Sequence, residues 1–322
     1  MGATARSIAP KAAAAGAGKP VIGVVGLGIM GGMMAETLLA SGYRVAGYDV
    51  APAARARLKR AGGKPLMSTA AVTEQCDFLI TSLATSAALA AVMAEIVGAA
   101  GCGARPVVIE TSTLPLEDKM RAQAKLKRTG VTVLDCPISG TATHMKERAW
   151  TIFLSGPAKP CKSVEKILRV FTDNLPNVGV FGNGTRMKYA ANHLVAIYNV
   201  AYGEVVTLGR RMGLDVRQML ALFGPSPVLG TGVMRLRVPF MLDRKYSPPT
   251  MKVEVWQKDM QVIGDMAKSL DCPVPLLSAC APIYTAAMAQ GLAQEDTASV
   301  AEVLGAMAGL PAIARKKPAL RK

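Results

Sequence analysis

The sequence has few aromatic residues and lacks any long apolar run. Phe, Trp and Tyr together make up 5% of its 322 residues, which argues against the base-stacking surfaces of proteins that bind single-stranded nucleic acid. No apolar stretch approaches the roughly 18 uninterrupted residues that a membrane span requires. We therefore expect a globular protein that has no membrane partner.

The six cysteines are scattered, and no two of them form a Cys-x-x-Cys pair. This spacing fits neither a zinc site nor a secreted disulfide framework, so we expect buried thiols, no metal site and a reducing, cytoplasmic location. The N-terminal segment also lacks the continuous apolar region of a secretory signal. It is basic and free of acids, which leaves an organelle transit peptide open, but a disordered leader is the simpler interpretation.

Acidic residues are absent from both ends of the chain, and this absence explains much of the formal net charge of +16. The ends supply eight of those charges, from Arg6, Lys11, Lys19, Arg315, Lys316, Lys317, Arg321 and Lys322. The moderate charge left on the body suits anionic substrates and cofactor phosphates as well as it suits DNA. A nucleic-acid partner is therefore not expected.

The length exceeds what one hydrophobic core usually fills, so the chain should contain two domains. Short β-rich runs alternate with amphipathic segments from residue 20, which is typical of βαβ units on a parallel sheet. The predicted strands are 21–26, 43–50, 78–83, 106–112, 131–137, 150–156 and 178–182, and a first helix is predicted at 33–42. A long helical pattern at 184–212 opens an almost wholly helical remainder.

The fold class is therefore α/β, with an all-α C-terminal domain. A glycine motif after the first strand, GLGIMG at 26–31, identifies the N-terminal domain as a Rossmann-type dinucleotide-binding domain. The predicted divisions are a disordered leader at 1–19, the Rossmann domain at 20–181, a helical substrate and oligomerisation domain at 182–312, and a basic tail at 313–322.

A glycine motif follows the first predicted strand and opens the first helix. Its six residues are Gly26, Leu27, Gly28, Ile29, Met30 and Gly31. The first glycine permits a tight turn, the second lets the backbone approach a diphosphate, and the third lets helix and strand pack closely. Because the context is right on both sides, the motif predicts a dinucleotide site.

Asp49 ends the second predicted strand, where the adenosine ribose of a dinucleotide is read. A carboxylate there accepts hydrogen bonds from both ribose hydroxyls and repels a 2′-phosphate. The next residue is Val50 and not an arginine, so NAD is favoured over NADP. Arg55 or Arg57 could still turn toward a phosphate, although a solvated helix face is the preferred interpretation for both.

The usual acid/base residue of a dehydrogenase is scarce, since His144 and His193 are the only histidines and neither has an orienting carboxylate in a motif. His-Glu-x-x-His, Gly-x-Ser-x-Gly and Walker-A patterns are absent, which removes zinc peptidases, α/β-hydrolases and P-loop enzymes. Lys188 and Asn192 instead stand one helical turn apart on the same face. Both could reach one substrate oxygen, but their spacing alone favours a surface lysine beside an asparagine.

Four motifs favour a functional site at Lys188 over a surface lysine. The stretches GLGIMGGMMAETLLASG, DCPISG (135–140), GNGTRMKYAAN and QKDM (257–260) occur in the order and spacing of the β-hydroxyacid dehydrogenases. The chain resembles that family over roughly residues 20–310, and YDVAP (48–52) resembles its NAD-using members. The resemblance implies an oxidoreductase that acts on a small hydroxy-carboxylic acid or semialdehyde, commonly as a homodimer or homotetramer.

The resemblance also implies the role of each site residue. Lys188 would be the catalytic acid/base, and Asn192 would hold the substrate. Ser139 and Gly140 would bind the substrate carboxylate. The residues implied at the cofactor are Leu83, Ala84, Ser112 and Thr113, which would line the nicotinamide and its ribose, and Lys258, which would close over it.

The chain departs from the family pattern at three positions. Thr141 and Arg148 replace family glycines, with His144 between them, and Ala84 stands where proline is common. Thr141 and Arg148 are therefore candidate substrate-binding residues, and an inward Arg148 would favour a polar or dianionic hydroxy acid. An outward Arg148 is the slightly better interpretation.

Two other functions stay open. One is a catalytically altered relative that acts as a nucleic-acid-associated or binding protein, which the basic ends favour. The other is an imine reductase-like enzyme. The pair of Lys188 and Asn192 argues against both, since a binding module has no use for it and imine reductases typically replace the lysine.

Overall fold

The computed structural model of the protein describes residues 19–140 and 147–311. The predicted leader, apart from Lys19, and the predicted tail lie outside these residues, as do Thr141 and His144. Within the described ranges, no helix combines the length and apolar character needed to cross a membrane.

Six parallel strands form one sheet in the order β3-β2-β1-β4-β5-β6. The strands are β1 (Val21–Val25), β2 (Arg44–Tyr48), β3 (Lys64–Pro65), β4 (Phe78–Thr81), β5 (Val107–Glu110) and β6 (Thr132–Asp135). The helices between them are α1 (Ile29–Ala40), α2 (Pro52–Arg60), α3 (Thr69–Gln75), α4 (Ser86–Gly101) and α5 (Leu116–Lys127). The predicted Rossmann-type fold is confirmed.

The strands bury both faces because apolar side chains occupy successive positions along them. Val24 and Ile80 belong to the core that also contains residues of α1, whereas Val25 and Leu79 belong to the core beneath α4. When helices cover both sides of a sheet, the sequences of its strands are continuous apolar runs, as they are here. The carboxyl ends of β1, β4 and β5 therefore lie side by side at one edge, where open parallel sheets bind ligands.

The prediction that 150–156 and 178–182 continue the sheet as full strands is wrong. Only β8 (Thr151–Ile152) forms from the first segment, and it pairs antiparallel with β7 (Ile138–Ser139) in a separate two-stranded sheet. No strand forms at 178–182; isolated bridges, such as that between Asp135 and Ser155, make the remaining connections. Pro137 precedes β7, Pro157 follows 150–156 and Pro176 precedes 178–182. Prolines cannot donate ladder hydrogen bonds, so their positions limit the length of the strands.

The part of the chain from residue 183 to residue 311, all of which is described, contains helices and no strand. After α6 (Ala158–Leu168), its elements are α7 (Asn183–Arg211), α8 (Val216–Phe223), α9 (Gly232–Asp243), α10 (Val253–Ser269), α11 (Pro275–Ala289), a short 3₁₀ helix (Thr297–Ser299) and α12 (Val300–Met307). The 29-residue α7 is central and contacts α9, α10, α11 and α12. The predicted helical C-terminal region is thus confirmed.

Candidate active site

The glycine turn between β1 and α1 has the shape that a diphosphate needs. A Cβ on Gly26, whose φ is +86°, would lie 2.1 Å from the Ser82 carbonyl oxygen, and one on Gly31 would lie 1.8 Å from the Gly26 oxygen. Gly28, the N-cap of α1, has nothing within 4 Å of its Cβ position. Two glycines are therefore required by the packing of the turn, and the third leaves open space at a helix N-terminus, which fits a bound diphosphate.

The other residues of this turn serve it in different ways. The side chain of Leu27 is buried in the core, Met30 packs against the same core, and Ile29 is exposed. The Leu27 amide is already bound within the protein, because it donates a 2.7 Å hydrogen bond to Asp49 Oδ2.

Asp49 lies at the carboxyl end of β2, and each of its oxygens accepts a backbone hydrogen bond. The second donor is the Ala51 amide, 2.8 Å from Oδ1. The carboxylate borders a cleft of about 490 Å³, which is also lined by Gly28, Glu36 and Arg57. The residue predicted to read the adenosine ribose therefore faces a cavity at the glycine turn.

The solvated helix face that we predicted for Arg55 and Arg57 is only part of their environment. Arg55 donates a 2.5 Å hydrogen bond to the Asp49 carbonyl oxygen, and Arg57 donates to the Leu27 carbonyl. Both guanidinium groups thus bind carbonyls of residues that line the cleft, and Arg57 itself lines the cleft with Asp49.

The residues implied at the nicotinamide follow β4 and β5. The Leu83 amide donates to Ser112 Oγ at 2.8 Å, so the two loops are joined directly. Ala84 is exposed beside Leu83. The Thr113 carbonyl accepts a hydrogen bond from Lys258 Nζ, which reaches across from α10.

Lys188 lies in the second turn of α7 and is buried, with 8% of its surface exposed. Burial lowers the pKa of its amine from 10.5 to about 8; the Asp259 carboxylate raises this pKa and the Lys258 ammonium lowers it. Among the described residues, none forms a hydrogen bond or ion pair with its Nζ. A buried amine that loses its proton near neutral pH suits an acid/base role.

Asn192 stands one turn beyond Lys188 and is also buried. Its Nδ2 donates a 2.9 Å hydrogen bond to Asp259 Oδ2, and Lys258 Nζ lies 3.2 Å from the other Asp259 oxygen. The two motifs that carry these residues, 67 positions apart in sequence, therefore meet at one buried carboxylate. The Tyr189 hydroxyl ties α7 to the loop after β5 by donating to the Leu114 carbonyl at 2.7 Å.

Sequence reasoning missed Asp259, although it quoted the QKDM motif that contains it. A signal was present, because Trp256, Asp259 and Ile263 follow helical spacing and all three are buried. An acid in an apolar helical stripe requires a partner inside the protein.

Ser139 ends β7, which packs against α7, and Gly140 follows directly. Gly140 has a φ of +138°, and a Cβ there would lie 2.5 Å from Trp150 Cδ1. Only glycine therefore fits against Trp150 at this position. Thr141 lies outside the described residues.

Arg148 is not brought to this site. Its Nη2 forms a 2.6 Å ion pair with Asp173 Oδ1, and the guanidinium also donates to the carbonyls of Arg169, at 2.9 Å, and Val170, at 3.1 Å. Nearly half of its side chain is exposed. The outward orientation that the sequence analysis favoured is the one found, because acceptors at the end of α6 bind the guanidinium. The alternative, an Arg148 that binds the substrate, stays a prediction that these contacts do not favour.

Comparison with known proteins gives the same assignment along the chain. The family model of the NAD-binding domain of 6-phosphogluconate dehydrogenase matches residues 21–181. The family model described as NAD-binding of NADP-dependent 3-hydroxyisobutyrate dehydrogenase matches residues 182–304. The two matches meet at Gly182, where α7 follows.

Individual relatives are similar over nearly their whole length. An L-threonate dehydrogenase of Cupriavidus necator is 29% identical over 88% of this chain and 95% of its own. Human mitochondrial 3-hydroxyisobutyrate dehydrogenase is 28% identical over 89% and 88%. The crystal structure of a Salmonella typhimurium 3-hydroxyisobutyrate dehydrogenase superposes with a TM-score of 0.78 at 25% identity, covering 88% of this chain and 99% of that one. The chain therefore belongs to the β-hydroxyacid dehydrogenase family, whose members are oxidoreductases that use a nicotinamide dinucleotide.

Proposed function

We propose that this enzyme transfers a hydride between NAD(H) and a small hydroxy-carboxylic acid or its semialdehyde, with Lys188 as the acid/base. The observation that carries the assignment is the buried Lys188 amine, whose pKa is lowered to about 8 on the face of α7 that also presents Asn192. An amine with this pKa exchanges its proton readily at physiological pH.

Several of the described residues have separate roles in the proposed reaction. When bound, the nicotinamide supplies the group that accepts or returns the hydride. In oxidation, the neutral Nζ of Lys188 takes the proton of the substrate hydroxyl; in reduction, the ammonium form returns a proton to the carbonyl oxygen. Asn192, held by Asp259, orients the same oxygen, and Lys258 steadies the approach of α10 to the loop after β5.

The substrate carboxylate is assigned to Ser139 and to the backbone amide of Gly140. Gly140 is held next to Trp150, and β7 contacts the helix that carries Lys188. A hydroxyl and a backbone N–H together make a small anion site, which suits an acid of three to five carbons. We also assign Thr141 as a substrate contact, and this assignment depends only on its position in the family motif.

NAD is the preferred cofactor in this proposal. Asp49 borders the ribose cleft with a second acid, Glu36, and two acids disfavour a 2′-phosphate. Arg57 lines the same cleft but donates to the Leu27 carbonyl, so it would have to leave that acceptor to bind a phosphate. The diphosphate would lie at Gly28.

Assembly and location complete the proposal. Leu194, Val205 and Leu208 are apolar and exposed along α7, which supports a homodimer or homotetramer formed through the helical region. All six cysteines are unpaired, which supports a cytoplasmic location. We also propose that residues 20–181 and 182–312 form the two functional domains.

The test is a panel of substrates, and turnover of each is monitored through the absorbance of NADH. The purified chain is incubated with NAD and with 3-hydroxyisobutyrate, L-threonate, glycerate or 3-hydroxypropionate, since names of relatives include the first two acids. We expect turnover of at least one acid and none of simple alcohols that lack a carboxylate. Equal turnover of the alcohols would contradict the carboxylate anchor. In a parallel incubation with NADH, consumption of NADH with cyclic imines and with no semialdehyde would favour the imine reductase alternative.

A further inference from the structure

Lys119 is fully buried in the Rossmann-type domain, and no step of the proposed reaction uses it. Its Nζ lies 2.5 Å from Glu110 Oε2 and 2.9 Å from Asp135 Oδ1. All three side chains are nearly without solvent exposure. Burial lowers the pKa of Lys119, but the two carboxylates more than compensate, so the ammonium stays protonated. Without this cation, two buried carboxylates would face each other and repel.

Glu110 connects this ammonium to the residues assigned to the nicotinamide. Its second oxygen, Oε1, accepts the Ser112 amide at 3.0 Å. The hydroxyl of Ser112 in turn accepts the Leu83 amide at 2.8 Å. The position of Glu110 therefore governs how the loops after β4 and β5 sit relative to each other.

Asp135 connects the same ammonium to the helix that carries Lys188. Its Oδ2 accepts the Thr185 amide at 2.7 Å and its Oδ1 accepts the Thr185 hydroxyl at 2.8 Å, so it caps the first turn of α7. Ser155 strengthens the cap by accepting the Gly184 amide at 3.0 Å and donating to the Asp135 carbonyl at 2.9 Å. Lys188 lies one turn beyond Thr185.

We propose that Lys119 is a positioning residue, which sets the distance between the nicotinamide-facing loops and the Lys188 helix by holding Glu110 and Asp135 on one ammonium. The inference rests on the proposed function for its kinetic consequence. Hydride transfer requires the reacting atoms to be aligned, and a displacement of about 1 Å can cost about 100-fold in rate. A continuous path of hydrogen bonds and ion pairs from Leu83 to Thr185 is a direct way to hold that alignment.

A matched pair of variants separates positioning from stability. Lys119→Met with Glu110→Gln removes the bridge and leaves the net charge of the buried cluster unchanged, because one cation and one anion are lost together. Asp135 then remains at a helix N-terminus, where an anion is stabilised. Arg237→Met is the control, since it breaks an equally buried ion pair with Asp296 in the helical region.

The kinetic experiment uses the panel acid with the highest wild-type kcat, prepared with and without deuterium on the carbinol carbon. For the double variant we expect kcat to fall about 10- to 100-fold and the primary isotope effect to rise. The Kd for NADH should change less than about threefold, because alignment is lost while the diphosphate site is intact. Arg237→Met should lower the melting temperature without changing the isotope effect. A double variant with the wild-type isotope effect and kcat overturns the proposal.

A second measurement does not depend on turnover. Amide hydrogen exchange in the double variant should accelerate selectively at Leu83, Gly184 and Thr185, the donors at the two ends of the path, and should not do so in Arg237→Met. Exchange that is unchanged at these amides, or accelerated uniformly over the chain, contradicts the positioning role. A wild-type chain that oxidises no panel acid would contradict the proposed function, and the exchange pattern would still decide the role of Lys119.

Discussion

Asn192 on α7 donates a 2.9 Å hydrogen bond to the carboxylate of Asp259 on α10. This bond joins the two helices one turn from Lys188 and determines which atoms of Asn192 stay available. With Nδ2 engaged by Asp259, the amide oxygen and the remaining N–H of Asn192 are left for a ligand. Asp259 thereby serves two purposes, since its charge also opposes the lowering of the pKa of Lys188.

The first prediction concerns Lys188 itself. Lys188→Ala should lower kcat by about two to four orders of magnitude, the usual share of a positioned acid/base. The Kd for NADH should be nearly unchanged, because the proposed function assigns Lys188 to the substrate and not to the cofactor. Arg186→Ala is the control, since Arg186 is exposed on the same helix. A Lys188→Ala enzyme that keeps more than about a tenth of wild-type kcat would remove the assigned role.

The second prediction is the pH dependence. Oxidation needs the neutral amine, so its kcat should rise with pH through the Lys188 pKa of about 8. Reduction needs the ammonium form, so its kcat should fall over the same interval. Asp259→Asn removes a charge that raises this pKa, and both limbs should therefore move to lower pH. Profiles that are flat between pH 7 and 9, or limbs that move upward in Asp259→Asn, would contradict this account.

The third prediction concerns cofactor choice. The wild type should have the higher kcat/KM with NAD, and Asp49→Ser with Val50→Arg should move preference toward NADP by removing repulsion and adding a phosphate partner. Asp49→Asn is a milder control that removes the charge and keeps a side-chain acceptor for the Leu27 amide. A wild type with the higher kcat/KM for NADP would reverse the assignment. Arg57, which already lines the cleft, would then be the phosphate partner to test.

The fourth prediction follows from the orientation of Arg148. Arg148→Gly should leave KM unchanged across monocarboxylic and dicarboxylic hydroxy acids, because the guanidinium is bound to Asp173. The melting temperature should change little, since exposed ion pairs contribute little to stability. Glycine also accepts the positive φ of 54° at this position without strain. A KM that rises for dicarboxylates alone would restore Arg148 to the substrate site.

Local patterns were sufficient to predict the nucleotide-binding half and its glycine turn. Strand β1, the Gly26 turn and Asp49 lie within 30 residues, so their geometry is dictated by neighbours in sequence. Spacing alone did not distinguish Lys188 from a surface lysine; the family motifs assigned its role. The partners of Asn192 and Arg148 were not predictable, because Asp259 and Asp173 are 67 and 25 positions away and are chosen by tertiary packing.

The fifth prediction compares two glycines of the same turn. At Gly28 a Cβ would meet nothing within 4 Å, so Gly28→Ala should keep the wild-type melting temperature. The added methyl would nevertheless occupy the space where a diphosphate approaches the N-terminus of α1, and the Kd for NADH should rise about tenfold or more, which corresponds to about 1.4 kcal/mol.

Gly31→Ala should behave differently, because its Cβ would lie 1.8 Å from the Gly26 carbonyl oxygen. Backbone must move to relieve that overlap, so this variant should lose thermal stability and NADH binding together. Thermal unfolding and NADH fluorescence titration of both variants measure the contrast. If Gly28→Ala binds NADH as tightly as the wild type, the diphosphate does not lie against this glycine. A Gly31→Ala protein of unchanged stability would show that the close contact of α1 with the Gly26 turn is not required.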